Sequence, residues 1–144
     1  MPTQPKPEQI QALSTKVPEG PLVMLNLLKF KEKAVYPDGR QTDISGAEAY
    51  GIYGVEMRKL IEADGGRLVF SAPLNVLVIG EGELEWDAVG IAEYASLESF
   101  QRITATPKYQ EISMHRTAGL AHQLLINCLN PEQTQQVLGN DKNL

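Results

Sequence analysis

Ten residues near the start of the chain, Pro21 to Phe30 (PLVMLNLLKF), restrict the possible folds more than any other stretch. Seven of them are large and apolar, and they sit at adjacent rather than alternating positions. The run is too short for a membrane helix, which needs ~20 apolar residues. It reads as a strand buried on both faces, so helices of the same chain must cover one face and a second layer the other. A single polar residue, Asn26, interrupts its middle.

The rest of the chain supports one domain built on that strand. Its 144 residues are enough for a core without disulfides, so residues 1–144 form a single domain. Acidic residues outnumber basic ones, 18 to 13, and no Lys/Arg cluster occurs, which excludes a nucleic-acid partner. The lone Cys128 can form neither an internal disulfide nor a cysteine metal cage and suits a reducing interior. No apolar run follows a basic start in MPTQPKPEQI, so the expectation is a cytoplasmic protein with no signal peptide and no membrane association.

Before the strand, Pro7 sits at a favoured first-turn position for a helix over about 7–16, with Ile10 and Leu13 on one face, as a lid or brace. After it, 31–44 is polar and contains the turn signal Tyr36-Pro37-Asp38-Gly39, predicting a long exposed loop. Ser45 and Glu48 form a capping box for a helix from Gly46 to about Ala63, whose stripe is Ala49, Tyr50, Tyr53, Met57, Leu60 and Ile61. Gly65-Gly66 ends it. A strand over 67–79, kinked near Pro73, then turns at Gly80-Glu81-Gly82-Glu83 into an antiparallel strand from Trp86 to Tyr94. A second helical region opens at Ser96, is interrupted by Pro107 and ends near Gly119; Leu120 to Cys128 forms the last strand. The tail, 129–144, is mostly polar and is expected to dock weakly or fray.

Over a core of about 21–128 the order is β-α-β-β-α-β, an α+β ferredoxin-like arrangement with a four-stranded antiparallel sheet and both helices on one face. The other face carries apolar residues too and is a partner site, which two copies can bury sheet against sheet as a homodimer.

Residues 21–128 also resemble a known family. ADGGRLVFSAP, AEYAS and TPKYQEISMHRTAG, and above all Gly65-Gly66, Tyr94-x-Ser96, Tyr109 and Arg116 in that order, are similar to the domain of unknown function 1330 family of the dimeric α/β-barrel superfamily. The resemblance implies a ferredoxin-like protomer, a homodimer whose sheets form a barrel, and a pocket between sheet and helices. Relatives in that superfamily include cofactor-independent monooxygenases of polyketide quinols, haem-handling proteins and muconolactone isomerase-like enzymes, so the fold leaves the function open. The longer front end departs from the short form of the family.

The motifs that would fix a chemistry are weak. No G-x-S-x-G nucleophile elbow, G-x-G-x-x-G or P-loop is present. Glu111 and His115, four apart on a helix, with His122 on the next strand, could share a metal, but such pairs also occur on any solvated helix face; haem would need His115 or His122 as axial ligand. Neither a metal nor an organic cofactor is expected. The better constellation is polar and aromatic. Asn26, His115 and Arg116 are the candidate catalytic residues, with Tyr50, Tyr53, Trp86, Tyr94 and Tyr109 as candidate ligand contacts on an apolar lining. Each has a structural alternative: tyrosines on a helix stripe are often core, Asn26 can bond to backbone, and Arg116 can pair with a helix C-terminus or Glu111. Two function classes therefore stay open. One is a cofactor-independent oxygenase or isomerase of a small aromatic or lactone-like molecule, with His115 as general base and Asn26 and Arg116 stabilising an enolate. The other is a non-catalytic ligand-binding or stress-related dimer using the same pocket.

Overall fold

The structure, a computed structural model, describes residues 3–139. Its elements are α1 (Pro7–Lys16), β1 (Leu22–Phe30), α2 (Gly46–Ala63), β2 (Arg67–Pro73), β3 (Ala88–Tyr94), α3 (Leu97–Thr104), α4 (Pro107–Gly119), β4 (Leu120–Cys128) and α5 (Pro131–Leu138). The four strands form one antiparallel sheet in the order β2-β3-β1-β4, the ferredoxin-like order, with the apolar run of β1 in an inner position.

Side chains alternate along each strand, so the register assigns the faces. Met24 lies opposite Ala92 and Asn127, and Asn26 opposite Gly90 and Leu125; these point toward the helices. Leu22, Met24, Ala92 and Tyr94 join Tyr53, Met57 and Ile61 of α2, Ile103 of α3 and Ile112 of α4 in the main core. The opposite face carries Val23, Leu25, Leu27, Val89 and Ile91, flanked by Phe70 and Ile126, which are 54% and 45% exposed. The two-sided pattern in β1 is real, but helices of this chain satisfy only one side of it.

Helix ends follow the local code. Ser45 caps α2 through the Glu48 amide while the Glu48 carboxylate accepts from the Ser45 amide. Ser96 and Thr106 cap α3 and α4, and Pro107 starts the second of these. At the C-terminus of α2, Asp64 accepts from the Ser99 hydroxyl and from Arg102, tying α2 to α3. Those two bonds hold its carboxyl below the usual carboxylate range.

The structure refines three expectations. The strand over 67–79 ends at Pro73, because proline cannot donate to the ladder, and residues 74–87 form an irregular connection closed at its base by Leu74 N–H to Asp87 O, 2.8 Å. Val78 and Ile79 stand 85% and 90% exposed at its tip, and Trp86 belongs to this connection rather than to the following strand. Residues 31–44 are a loop, as expected, and most of them are exposed, but Ala34 and Tyr36 are buried. Ala34 and Tyr36 pack with Ala49 of α2 and Ala118 of α4 into a second small core, pinned by Lys31 N–H to Gly119 O, 2.8 Å, and Val35 N–H to Ala118 O, 3.0 Å. The third concerns the tail. Residues 131–138 form a helix, α5, capped by Asn130 and Gln133; it is mostly exposed and is joined to the body by buried Gln133, which donates to the carbonyls of Glu19 and Pro21 at 3.1 and 2.9 Å. Residues 140–144 of the tail lie outside the described residues.

Candidate functional site

Between the helix-facing side of the sheet and α1, α2 and α4 lies a cavity of about 1070 Å³. That is at the upper end of the ~300–1,000 Å³ usual for small-molecule sites. Part of its volume comes from missing side chains. Gly51 and Gly54 on α2 and Gly90 on β3 line it, and a Cβ at any of the three would meet nothing within 4 Å. α1 roofs one side: Leu13 and Val17 rest against the main core, although α1 has no buried residue.

The polar equipment of the wall is a single chain of hydrogen bonds across the sheet. Asn26 donates through Nδ2 to Gly90 O (3.1 Å), Gln123 donates through Nε2 to Asn26 Oδ1 (2.9 Å), and Arg116 donates through Nη1 to Gln123 Oε1 (2.8 Å). The amides are therefore oriented with their oxygens toward the arginine. Each carboxamide nitrogen uses one of its two hydrogens in this chain. Arg116 Nη1 also donates to Thr3 O, 2.8 Å, in the segment leading to α1. The Arg116 side chain sits in the last turn of α4 and the residue is only 7% exposed.

Around this chain stand phenols. Tyr50, Tyr53, Tyr94 and Tyr109 all line the cavity, with Tyr53 5.4 Å from Tyr50 and 6.4 Å from Tyr109 between ring centres. Burial pushes the Tyr50 hydroxyl up to about 12, partly offset by the Arg116 charge, and raises Tyr53 and Tyr94 as well. These groups are neutral hydrogen-bonding phenols at neutral pH, not bases.

The cavity thus unites Asn26, Arg116, Tyr50, Tyr53, Tyr94 and Tyr109 and leaves out two candidates. Trp86 lies on the 74–87 connection and does not line it. His115 is turned away from Arg116 because consecutive helical residues point about 100° apart. Its Nδ1 is 2.7 Å from the Tyr36 hydroxyl, and the two rings meet edge to face at 5.4 Å, on the side of α4 that packs against residues 31–44. Among the described residues lining the cavity there is no Asp, Glu, His or Cys. No group of three such side chains anywhere among the described residues could hold a metal. Gln123 was not anticipated. Its signal was present: in β4, Gln123, Leu125 and Asn127 alternate onto the helix-facing side, where two polar residues are unusual.

The topology and the hollow between sheet and helices define a ferredoxin-like α+β protein with an open pocket beside its sheet. The chain belongs to the family described as "Domain of unknown function (DUF1330)", whose model matches residues 40–127. Among solved structures it is similar to the RPA0582 protein of Rhodopseudomonas palustris, of unknown function: 35% identity, TM-score 0.77, covering 89% of this chain and 97% of that one. The methylated form of RPA0582 gives 37%, 0.78, 89% and 95%. At3g17210 of Arabidopsis thaliana shares the fold at 16% identity and TM-score 0.51, covering 76% and 94%. A dimeric ferredoxin-like protein of unknown function from Thermobifida fusca is more distant, with 15% identity, TM-score 0.46, and 77% and 92% covered. No curated protein matches the chain.

Proposed function

We propose that this protein binds a small molecule of largely apolar body in the cavity between its sheet and helices, and that it does so as a homodimer. One observation carries the first part: a large hollow, opened by Gly51, Gly54 and Gly90, is crossed by the aligned Asn26–Gln123–Arg116 chain and ringed by neutral phenols. A wall without carboxylate, imidazole or thiol among its described residues favours binding over general-base catalysis. Native mass spectrometry of the purified protein, followed by release under denaturing conditions, is expected to show a retained small molecule that Gly54→Trp, which pushes an indole into the hollow beside Tyr53, does not retain. Equal retention by that variant would place the ligand elsewhere and end this reading.

The dimer rests on the bare face of the sheet. Val23, Leu25, Leu27, Val89, Ile91, Phe70 and Ile126 form a continuous apolar surface that a second copy can cover isologously. Sedimentation at micromolar concentration should give twice the chain mass of 15.9 kDa. A folded monomer would refute it. No helix among the described residues is long and apolar enough to cross a membrane, and the free thiol of Cys128 suits the cytoplasm, where we place the protein.

A catalytic reading keeps Asn26 and Arg116 as stabilisers of a developing enolate in an oxygenase or isomerase of aromatic or lactone-like molecules. Here the substrate has to arrive already ionised or be deprotonated by something other than His115. Oxygen uptake on a panel of quinols separates this reading from pure binding.

A further inference from the structure

Arg116 is a buried cation with no anionic partner among the described residues. Its guanidinium has two acceptors, the Thr3 carbonyl and the Gln123 side-chain oxygen, and both take their hydrogen bonds from Nη1. Both are neutral. Nε is shielded from solvent and has no partner, the one buried side-chain nitrogen or oxygen among the described residues left in that state. A guanidinium stays protonated at any physiological pH, so it cannot escape the cost of burial by losing its charge. Buried charges in native proteins are as a rule paired, and an exception asks for an explanation.

The surroundings supply none among the described residues. The other charged residues that line the cavity are Lys16 and Arg58, both cations, and no Asp or Glu is among them. Arg58 is matched outside the cavity by Glu62, at 3.2 Å. Every charged side chain among the described residues that line the hollow is thus a cation, and Arg116 is the buried one, in a chain whose net charge is −5. The aligned amides add to this: the Asn26 and Gln123 oxygens are spent on protein donors, and what each has to spare is an N–H.

From this geometry we infer that the ligand of the cavity carries a carboxylate, and that the carboxylate is seated on Arg116 by displacing the Thr3 carbonyl. Thr3 O is a neutral acceptor held where an anionic oxygen would add charge pairing, and a bidentate geometry, to the hydrogen bond. It belongs to the segment that leads into α1, so seating the anion moves that segment and couples binding to the roof of the cavity. The body of the ligand then lies along Met24, Ala92, Tyr53 and Met57, an apolar bed suited to an alkyl chain or a phenyl ring. The class is an amphiphilic monocarboxylic acid, either a medium-chain aliphatic acid or an arylalkanoic acid.

The inference rests on the cavity being a ligand site, and the test separates the two. Calorimetric titration at neutral pH is carried out with decanoate and 4-phenylbutyrate, each beside its uncharged primary amide. The protein is the full chain, with Arg116→Gln, Arg116→Lys and Tyr36→Phe as variants and circular dichroism to confirm that each is folded. At least one acid is expected to bind ~30-fold more tightly than its amide, the size of effect that follows from leaving a buried cation unpaired. Arg116→Gln should abolish that ratio while still binding the amide. Arg116→Lys should keep part of it, since the charge remains and the planar fork is lost. Tyr36→Phe, altered on the far side of α4, should leave it unchanged. If acid and amide bind equally, or if Arg116→Gln keeps the ratio, the carboxylate assignment is overturned and the cavity remains a neutral-ligand site. If neither member of either pair binds at millimolar concentration, the ligand-site reading fails with it.

Discussion

Five glycines of α2, α4 and β3 divide into two groups that do opposite things. Gly46 and Gly119 lie where α2, α4 and the end of β1 meet, and a Cβ on either would run into backbone: Gly119 into the Gly46 carbonyl, Gly46 into the carbonyls of Lys31 and Gly119. There the missing side chain lets two helices touch. Gly51, Gly54 and Gly90 face open space, so the same omission produces a void. One end of the helical layer is packed, with Ala34, Tyr36, Ala49 and Ala118 as its core; the other is hollow and holds the Arg116 chain. Glycine in a sequence signals a missing side chain, and only the fold says whether closeness or emptiness follows.

The widest gap between the two ends is expected in alkali. Tyr50, Tyr53 and Tyr94, all on the hollow side, have folded pKa values above the ordinary 10.0, for Tyr50 about 12, because burial penalises the phenolate. Between pH 10 and 12 the unfolded chain has lost protons that the folded chain keeps, so stability falls as pH rises through that window. Tyr50 alone removes up to ~1.4 kcal/mol per pH unit there, and the other two act in the same direction. Denaturant melts from pH 8 upward should show the decline setting in near pH 10. A flat profile to pH 12 would mean that water already solvates these hydroxyls.

Next in size is Gly119→Ala. The added methyl group meets backbone on α2 rather than a side chain that can swing aside, and overpacking of that kind costs roughly 3 kcal/mol. Urea unfolding should register it as a lower midpoint with an unchanged slope. A loss under about 1 kcal/mol would show that α2 and α4 can part easily and that the packed end is no more rigid than the hollow one.

What could be read in the sequence tracks how local the cause is. Capping by Ser45 and Glu48, termination by Gly65-Gly66 and the break at Pro107 are decided within a few residues, and each stands as expected. The meeting of Asn26, Tyr53 and Arg116 also follows from pattern, since each is polar within an otherwise apolar element. Errors came where burial is decided at long range. Residues 31–44 look polar, yet Tyr36 finds His115 79 positions away and buries there. Val76, Val78 and Ile79 have strand character, yet Pro73 ends the ladder and no neighbour remains to pair with them. His115 and Arg116 are both candidate catalytic residues by type, as base and as anion stabiliser, but helical rotation sends one to each end.

The smallest expected effect has the opposite sign to Gly119→Ala and is the cleanest contrast with it. Gly54 lies in the interior of the 18-residue helix α2, where glycine costs about 1 kcal/mol relative to alanine because it orders more backbone and lacks a side chain. No atom lies within 4 Å of the position its Cβ would take, and Gly54 is not among the positive-φ glycines, so alanine fits without strain. Gly54→Ala should therefore raise stability by about 0.5–1 kcal/mol, partly through the unfolded chain, which has less freedom to lose. One methyl group takes little of a hollow of about 1070 Å³, so retained ligand should survive the change while Gly54→Trp expels it. If Gly54→Ala instead destabilises the protein, the space beside α2 closes in solution, and the two groups of glycines share one role, close packing of the helices.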